Sequence, residues 1–204
     1  MISLYEFALS GNCHKVRLML SLLGQEYRNV LVSGQQKEHK SAEFLSKNPF
    51  GQVPVLQDGD TIIRDSQAIL VYLARTYGAE YWLPQAPAAM AEVIAWLSTA
   101  ANEVTRGPNA LRANHKFGRA INQLEAEIIC DSLLDVLQTQ LHQQSYLVGD
   151  QPSIADIAMY PYIALAPEGD VDLSGYPAVT AWLTRIQALP GYVGMPGMWQ
   201  ADVA

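Results

Sequence analysis

Cysteine is nearly absent: Cys13 and Cys130 are the only two in 204 residues. That excludes a disulfide framework and a cysteine-rich zinc site, and it leads to the expectation of a reducing, cytoplasmic setting. Positive charge is also scarce, with 13 Lys and Arg against 20 Asp and Glu and a formal net charge of −7. No basic stripe runs against this balance, so nucleic acid is not an expected partner; phosphate backbones are gripped by clustered cations. No stretch approaches the ~20 apolar residues needed to span a membrane. The four histidines, His14, His39, His115 and His142, never fall at H-x-x-x-H spacing, so no metal site is expected. MISLYEF has neither the charged nor the apolar region of a secretory leader.

What remains is an ordinary globular composition, 50% hydrophobic and 16% charged, long enough for a substantial core. The first 78 residues alternate in character. ISLYEF has strand length and β-rich content, and VRLMLSLLG repeats apolar residues at helical spacing up to Gly24. EYRNVLV reads as a second strand and SAEFLSKN as a short helix starting at Ser41. VPVLQ and TIIR flank Asp58-Gly59-Asp60, the signal for a tight hairpin. DSQAILVYLARTYG opens with capping residues and stops at Gly78. The order is β-α-β-α-β-β-α.

Residues 79–87, with Pro84 and Pro87, read as a linker. Beyond it strand signals vanish. AAMAEVIAWLSTAANEV and AINQLEAEIICDSLLDVLQTQL are long amphipathic patterns, the second with adjoining stripes at Ile121, Leu124, Ile128 and at Cys130, Leu134, Leu137, Leu141. SIADIAMYPYIAL and AVTAWLTRIQAL add two helices, while residues 105–118 and the tail after Pro190 read as irregular. The pattern predicts a small α/β domain followed by an all-helical domain over 88–204.

Three stretches can carry chemistry. FALSGNCHK lies where a strand ends and a helix begins, so unpaired backbone N–H groups and the positive end of the helix dipole favour an anion there. Ser10 stands at the N-cap, where a serine either caps alone or also serves a ligand. Cys13 shares the apolar face of Val16, Leu20 and Leu23, which predicts a buried, inert thiol. His14 and Lys15 are expected to be solvated or in loop contacts. In NPFGQVPVLQDGD, Pro54 starts a strand after a Val-Pro bond that is trans by base rate and cis in special turns. In RDSQAI, Asp65 and Ser66 begin another helix, as caps or as a receptor for a zwitterion whose carboxylate meets the helix end and whose ammonium meets Asp65.

SGNCHKVRL, EHK, NPFGQVPVL, DGD and RDSQAILVYLA, in this order and spacing, resemble the N-terminal domain of cytosolic glutathione S-transferases, most nearly the bacterial and plant-type members that use a serine. The likeness continues into SIADIAMYPYIAL, where Ser153 and Asp156 match the family's capping box. It implies a thioredoxin-like domain over 1–78, a cis Pro54, and glutathione laid as an extended peptide along a strand edge. It further implies that Val53 pairs with the cysteinyl part, that Asp65, Ser66 and Gln52 hold the γ-glutamyl end, and that His39 and Lys40 approach the glycyl carboxylate. Family members that use tyrosine place it where this chain has Glu6, and Tyr5 falls on the opposite side of the pleat. Members with a cysteine nucleophile place it at the Ser10 position.

Ser10 is therefore the expected catalytic group, with Asn12 as a possible second donor. The resemblance implies a homodimeric transferase that adds the glutathione thiolate to a small hydrophobic electrophile, with glutathione as co-substrate and no resident cofactor. Leu9, Trp96, Arg106 and Asn109 are candidates for the electrophile's wall, and helix 88–104 for the dimer interface. A glutathione-dependent peroxidase or disulfide-bond reductase is the alternative chemistry, and a non-catalytic binding or regulatory protein the alternative class.

Overall fold

The computed structural model describes residues 1–78 and 80–201; the linker's first residue, Ala79, and the last three residues of the expected helical domain lie outside it. Four strands and nine helices follow one another among the described residues: β1 (Ile2–Glu6), α1 (Gly11–Leu22), β2 (Tyr27–Leu31), α2 (Ala42–Lys47), β3 (Val55–Asp58), β4 (Thr61–Arg64), α3 (Ser66–Tyr77), α4 (Pro87–Ala101), α5 (Glu103–Arg106), α6 (Pro108–Phe117), α7 (Gln123–Gln143), α8 (Ile154–Ala164) and α9 (Pro177–Gln187). The sheet runs β2-β1-β3-β4. β1 is parallel to β2 and antiparallel to β3, and β3 is antiparallel to β4. This mixed sheet with helices on both faces is a thioredoxin-like arrangement, followed by an all-helical half.

The period of two in β1 sorts its side chains. Ile2 and Leu4 join the main core with Leu18, Leu70 and Leu73, while Tyr5 turns to a second cluster around Val32, Phe44 and Val55 under α2. Register Asp58↔Thr61 leaves Gly59 and Asp60 as the hairpin loop, with Gly59 at φ +57. Asp58 then accepts hydrogen bonds from the Tyr72 and Tyr77 hydroxyls, which fastens the hairpin to α3.

Helix α8 organises the other half. Every residue from Ile154 to Ala164 is buried, and α1, α3, α4, α6 and α9 pack around it. Its N-terminus is the expected capping box. Asp156 is wholly buried and accepts from the Leu147 N–H at 3.0 Å, the Ser153 N–H at 2.9 Å and the Trp182 indole at 2.9 Å.

Three expectations need correction. Residues 105–118 are not irregular: they hold the whole of α6, which has Pro108 in its first turn and ends at Gly118 with φ +65. Pro at the start and Gly past the end are the flanks of a helix, but a Gly-Pro pair following a helical pattern reads equally well as a break. Of the two stripes the second faces the core, with Cys130, Leu134, Leu137 and Leu141 buried; in the first, Ile121 precedes α7 and packs half-buried against the core, whereas Leu124 and Ile128 are 68% and 60% exposed. His14 and Lys15 are fully buried rather than solvated, because α8 covers the side of α1 that a two-layer domain would leave to water.

Candidate active site

Ser10 caps α1 with extended backbone at φ −83, ψ 122, and its Oγ accepts from the Cys13 N–H at 3.3 Å. That satisfies one of the helix's free N–H groups and leaves the hydroxyl proton uncommitted. The loop that carries it is held from two directions. Arg17 donates to the Ala8 carbonyl at 3.1 Å, and Arg112 from α6 donates to the Leu9 carbonyl at 3.1 Å while pairing with Glu168 at 2.6 Å. Cys13 is fully buried, and burial pushes its thiol up to about 11, which removes it from nucleophilic chemistry at neutral pH. Glu6 is buried in an ion pair with Arg17, and Asn29 donates to it at 2.5 Å. Tyr5 donates to Gln57 at 3.2 Å on the other face of the sheet. No tyrosine of β1 therefore reaches this site.

The Val53–Pro54 bond is cis. Beside it, α3 starts at Asp65, whose φ of +75 lies where side chains are seldom found; its Oδ1 accepts from the Gln67 and Ala68 N–H groups at 2.9 and 3.1 Å. Capping and ligand reception are compatible here, since the other carboxylate oxygen and the dipole end remain available. Ser66 is buried against Gln67, 3.5 Å from the Asn12 side chain. Asn12, Gln52, Val53, Asp65 and Ser66 share a cavity of about 140 Å³. The same Asn12, Gln52 and Val53 also border a larger cavity of about 560 Å³, which takes in Ser10, His39 and Lys40. The two cavities adjoin at these three residues, beside the cis proline. Lys40 donates to the Phe50 and Gly51 carbonyls at 3.0 and 2.8 Å, and the Phe7 ring meets His39 edge-on at 5.3 Å.

Of the expected electrophile wall, Leu9 and Asn109 line the larger cavity with Ser10. Trp96 and Arg106 do not: Trp96 borders a separate cavity of about 500 Å³ with Ile128 and Val136, and Arg106 pairs with Glu125. Their places near the middle and end of a helical pattern carry no signal of which side faces α1. The sequence reading missed Phe7, Arg112, Phe117, Arg119 and Tyr162, all of which border the cavity. Tyr162 lay inside SIADIAMYPYIAL, in plain view as a capped buried helix, yet nothing local tells that its hydroxyl takes the Asn12 N–H at 3.3 Å across 150 residues. Among the described residues no cluster of His, Cys, Asp and Glu could hold a metal ion, and no helix is long and apolar enough to cross a membrane.

Residues 4–81 match the family described as glutathione S-transferase, N-terminal domain, and residues 88–190 match glutathione S-transferase, C-terminal domain. The chain belongs to the glutathione S-transferase family. It is similar to a probable glutathione S-transferase of Oryza sativa subsp. japonica, 33% identical over 200 residues that cover 93% of each chain. A solved glutathione S-transferase of Pseudomonas fluorescens is 35% identical, with a TM-score of 0.89 over 96% of this chain and 98% of the other. A glutathione transferase homologue of Drosophila mojavensis, solved with bound glutathione, is 30% identical with a TM-score of 0.84, covering 93% of this chain and 88% of that one. This glutathione S-transferase is accordingly a transferase enzyme with a thioredoxin-like domain and a helical one.

Proposed function

We propose that this protein binds glutathione along the cis-proline edge, keeps its sulfur ionised through Ser10, and adds it to a small hydrophobic electrophile. The observation that carries the reading is the uncommitted Ser10 hydroxyl at the head of α1, bordering a cavity that shares Asn12, Gln52 and Val53 with the one at the Asp65–Ser66 helix end. Glutathione binding is supported by the family and by the glutathione-bound relative from Drosophila mojavensis. The γ-glutamyl carboxylate belongs at the N-terminus of α3 with Ser66, its ammonium at Asp65, and the glycyl carboxylate beside His39 and Lys40. Gln52 and the Val53 backbone hold the peptide between them.

The energies suffice without a metal or a general base. A free thiol ionises near 8.5, and lowering that by ~2 units requires ~2.7 kcal/mol of preference for the anion. One hydrogen bond to a charged group contributes ~1.5–3 kcal/mol. The helix end adds ~0.3–1 kcal/mol. Asn12, one residue into the helix, is a second donor within reach of the same space. The electrophile rests against Leu9, Phe7 and Phe117, with Asn109 as a polar contact. No resident cofactor takes part in this reaction.

The active form is proposed to be a cytoplasmic homodimer that serves detoxification. The dimer is supported by the exposed apolar side chains Ile128 and Val136, which border the 500 Å³ cavity between α4 and α7, and by the exposed Ile94 on α4. Conjugation of glutathione to an aryl halide, assayed beside hydroperoxide and mixed-disulfide reduction, tests the reaction type. Turnover with the aryl halide, cut about ten- to a hundredfold in Ser10→Ala and kept in Cys13→Ala, is expected. Turnover confined to disulfides or peroxides would replace this reading with the reductase one, and no binding of glutathione at millimolar concentration would leave a non-catalytic protein.

A further inference from the structure

Helix α6 and its C-terminal turn are built from PNALRANHKFGR, residues 108–119, a run without one acidic residue in a chain of net charge −7. Asn109, Arg112, Ala113 and Phe117 recur at helical spacing, and all four border the 560 Å³ cavity beside Ser10. The turn brings a further cation to the same side. Gly118, at φ +65, lets the chain reverse, so that the Arg119 N–H returns to the Ala113 carbonyl at 3.2 Å. The Asn114 side chain donates to the Arg119 carbonyl at 2.8 Å and fixes that return. Arg119 then borders the cavity as well.

The charges here do not balance. Arg112 and Lys116 share one carboxylate, that of Glu168, which does not border the cavity. Arg112 commits Nε to Glu168 and Nη2 to the Leu9 carbonyl, and its Nη1 makes no hydrogen bond with any described residue. The Arg119 guanidinium makes neither a hydrogen bond nor an ion pair with any described residue. Among the described residues that border the cavity there is no Asp or Glu, while Lys40, Arg112 and Arg119 all border it. A cleft walled by one sign of charge concentrates ligands of the other sign, and a guanidinium fork matches a carboxylate in two parallel hydrogen bonds. Apolar surface is offered beside these cations. Phe117 is 47% exposed, with its ring centre 5.3 Å from the Arg112 guanidinium carbon, and Phe7 borders the same space.

We infer that the preferred electrophile is an aryl compound bearing a carboxylate, its ring against Phe7 and Phe117 and its carboxylate on Arg119, with Arg112 as the second cation. This rests on the reading that the cavity beside Ser10 admits the electrophile, and it narrows that reading from hydrophobic molecules at large to anionic ones. The glycyl carboxylate of glutathione takes Lys40 and His39, which leaves the two arginines for the second substrate.

4-Chloro-3-nitrobenzoate and 4-chloro-3-nitrobenzamide have nearly the same shape and differ by one negative charge. With each, the glutathione sulfur bonds to the ring carbon, and chloride leaves with the electron pair of the C–Cl bond. The kcat/KM for each, divided by its uncatalysed rate constant with glutathione, is measured in wild type, in Arg119→Gln and in Arg75→Gln. Arg75 is exposed on α3 and borders neither glutathione cavity. The neutral, more reactive 1-chloro-2,4-dinitrobenzene serves as the reference. An acid preference of about tenfold is expected in wild type, lost in Arg119→Gln, kept in Arg75→Gln and weakened by added salt. Turnover of the reference with no preference for the acid overturns this inference and leaves the transferase reading standing. A preference that survives in Arg119→Gln, or falls equally in Arg75→Gln, overturns it too. So does a KM for glutathione that rises in Arg119→Gln while the preference stays, since that places Arg119 on the glycyl carboxylate. Turnover of none of the three compounds overturns the transferase reading itself.

Discussion

Lys15 stands fully buried with no hydrogen-bond partner for its Nζ, in a molecule that has water available on every side. Burial pulls its ammonium from 10.5 down to about 7, opposed only in part by Asp65. Between those two values the unfolded chain holds a proton that the folded protein lacks, so stability rises with pH across that window; below about 7 both states are charged and the full penalty applies. A difference of about 3.5 units at about 1.4 kcal/mol each makes the cost about 5 kcal/mol near neutral pH. Lys15→Met keeps the length and apolar bulk of the side chain and removes the charge. It also forfeits the contact with the Tyr162 ring, about 2 kcal/mol when desolvated. The variant should therefore be more stable by about 3 kcal/mol at about pH 7, a rise in Tm of about 6–12 °C for a chain of this size. Urea unfolding of both proteins at about pH 7 and about pH 10 measures it, and the gap should narrow at the higher pH. A variant that is less stable at neutral pH, or a gap independent of pH, would refute the burial reasoning.

Asp156→Ala leaves the Leu147, Ser153 and Trp182 donors buried without an acceptor, at about 1–3 kcal/mol each; thermal unfolding should show one of the largest losses available to a single change. Gly51 has φ +58, and a β-carbon there would meet the His39 carbonyl at 2.6 Å, so Gly51→Ala should displace His39 and Lys40 and raise the KM for glutathione several-fold with a smaller effect on kcat. Arg112→Met removes the bond that holds the Leu9 carbonyl and frees Glu168; a lower kcat at unchanged glutathione affinity is expected, read from initial rates at saturating glutathione.

What the sequence disclosed was what local chemistry decides. The Asp58-Gly59-Asp60 turn, the Ser10, Ser41 and Asp65 caps and the Ser153–Asp156 box are each set by residues within a few positions, and each stands where the pattern placed it, while the first three strands differ from the pattern by one or two residues at their ends. The burial of His14 and Lys15 was not legible, because helical spacing tells which side of α1 faces its own sheet and nothing about α8 covering the other side. Trp96 and Tyr162 fail for the same reason in opposite directions. Both lie on amphipathic or buried helices, and only the packing of α8 across the α1 terminus decides that Tyr162 borders the cavity while Trp96 faces away. Arg112 was hidden further, since its helix was read as a loop.

The thiol pKa of glutathione bound to the wild-type protein, set beside that in Ser10→Ala, tests the central claim most directly. Ionisation about two units below that of the free thiol is predicted for the wild type, with a return of about one to two units toward the free value when the hydroxyl is removed. Equal pKa values in the two proteins, with glutathione bound in both, would contradict it.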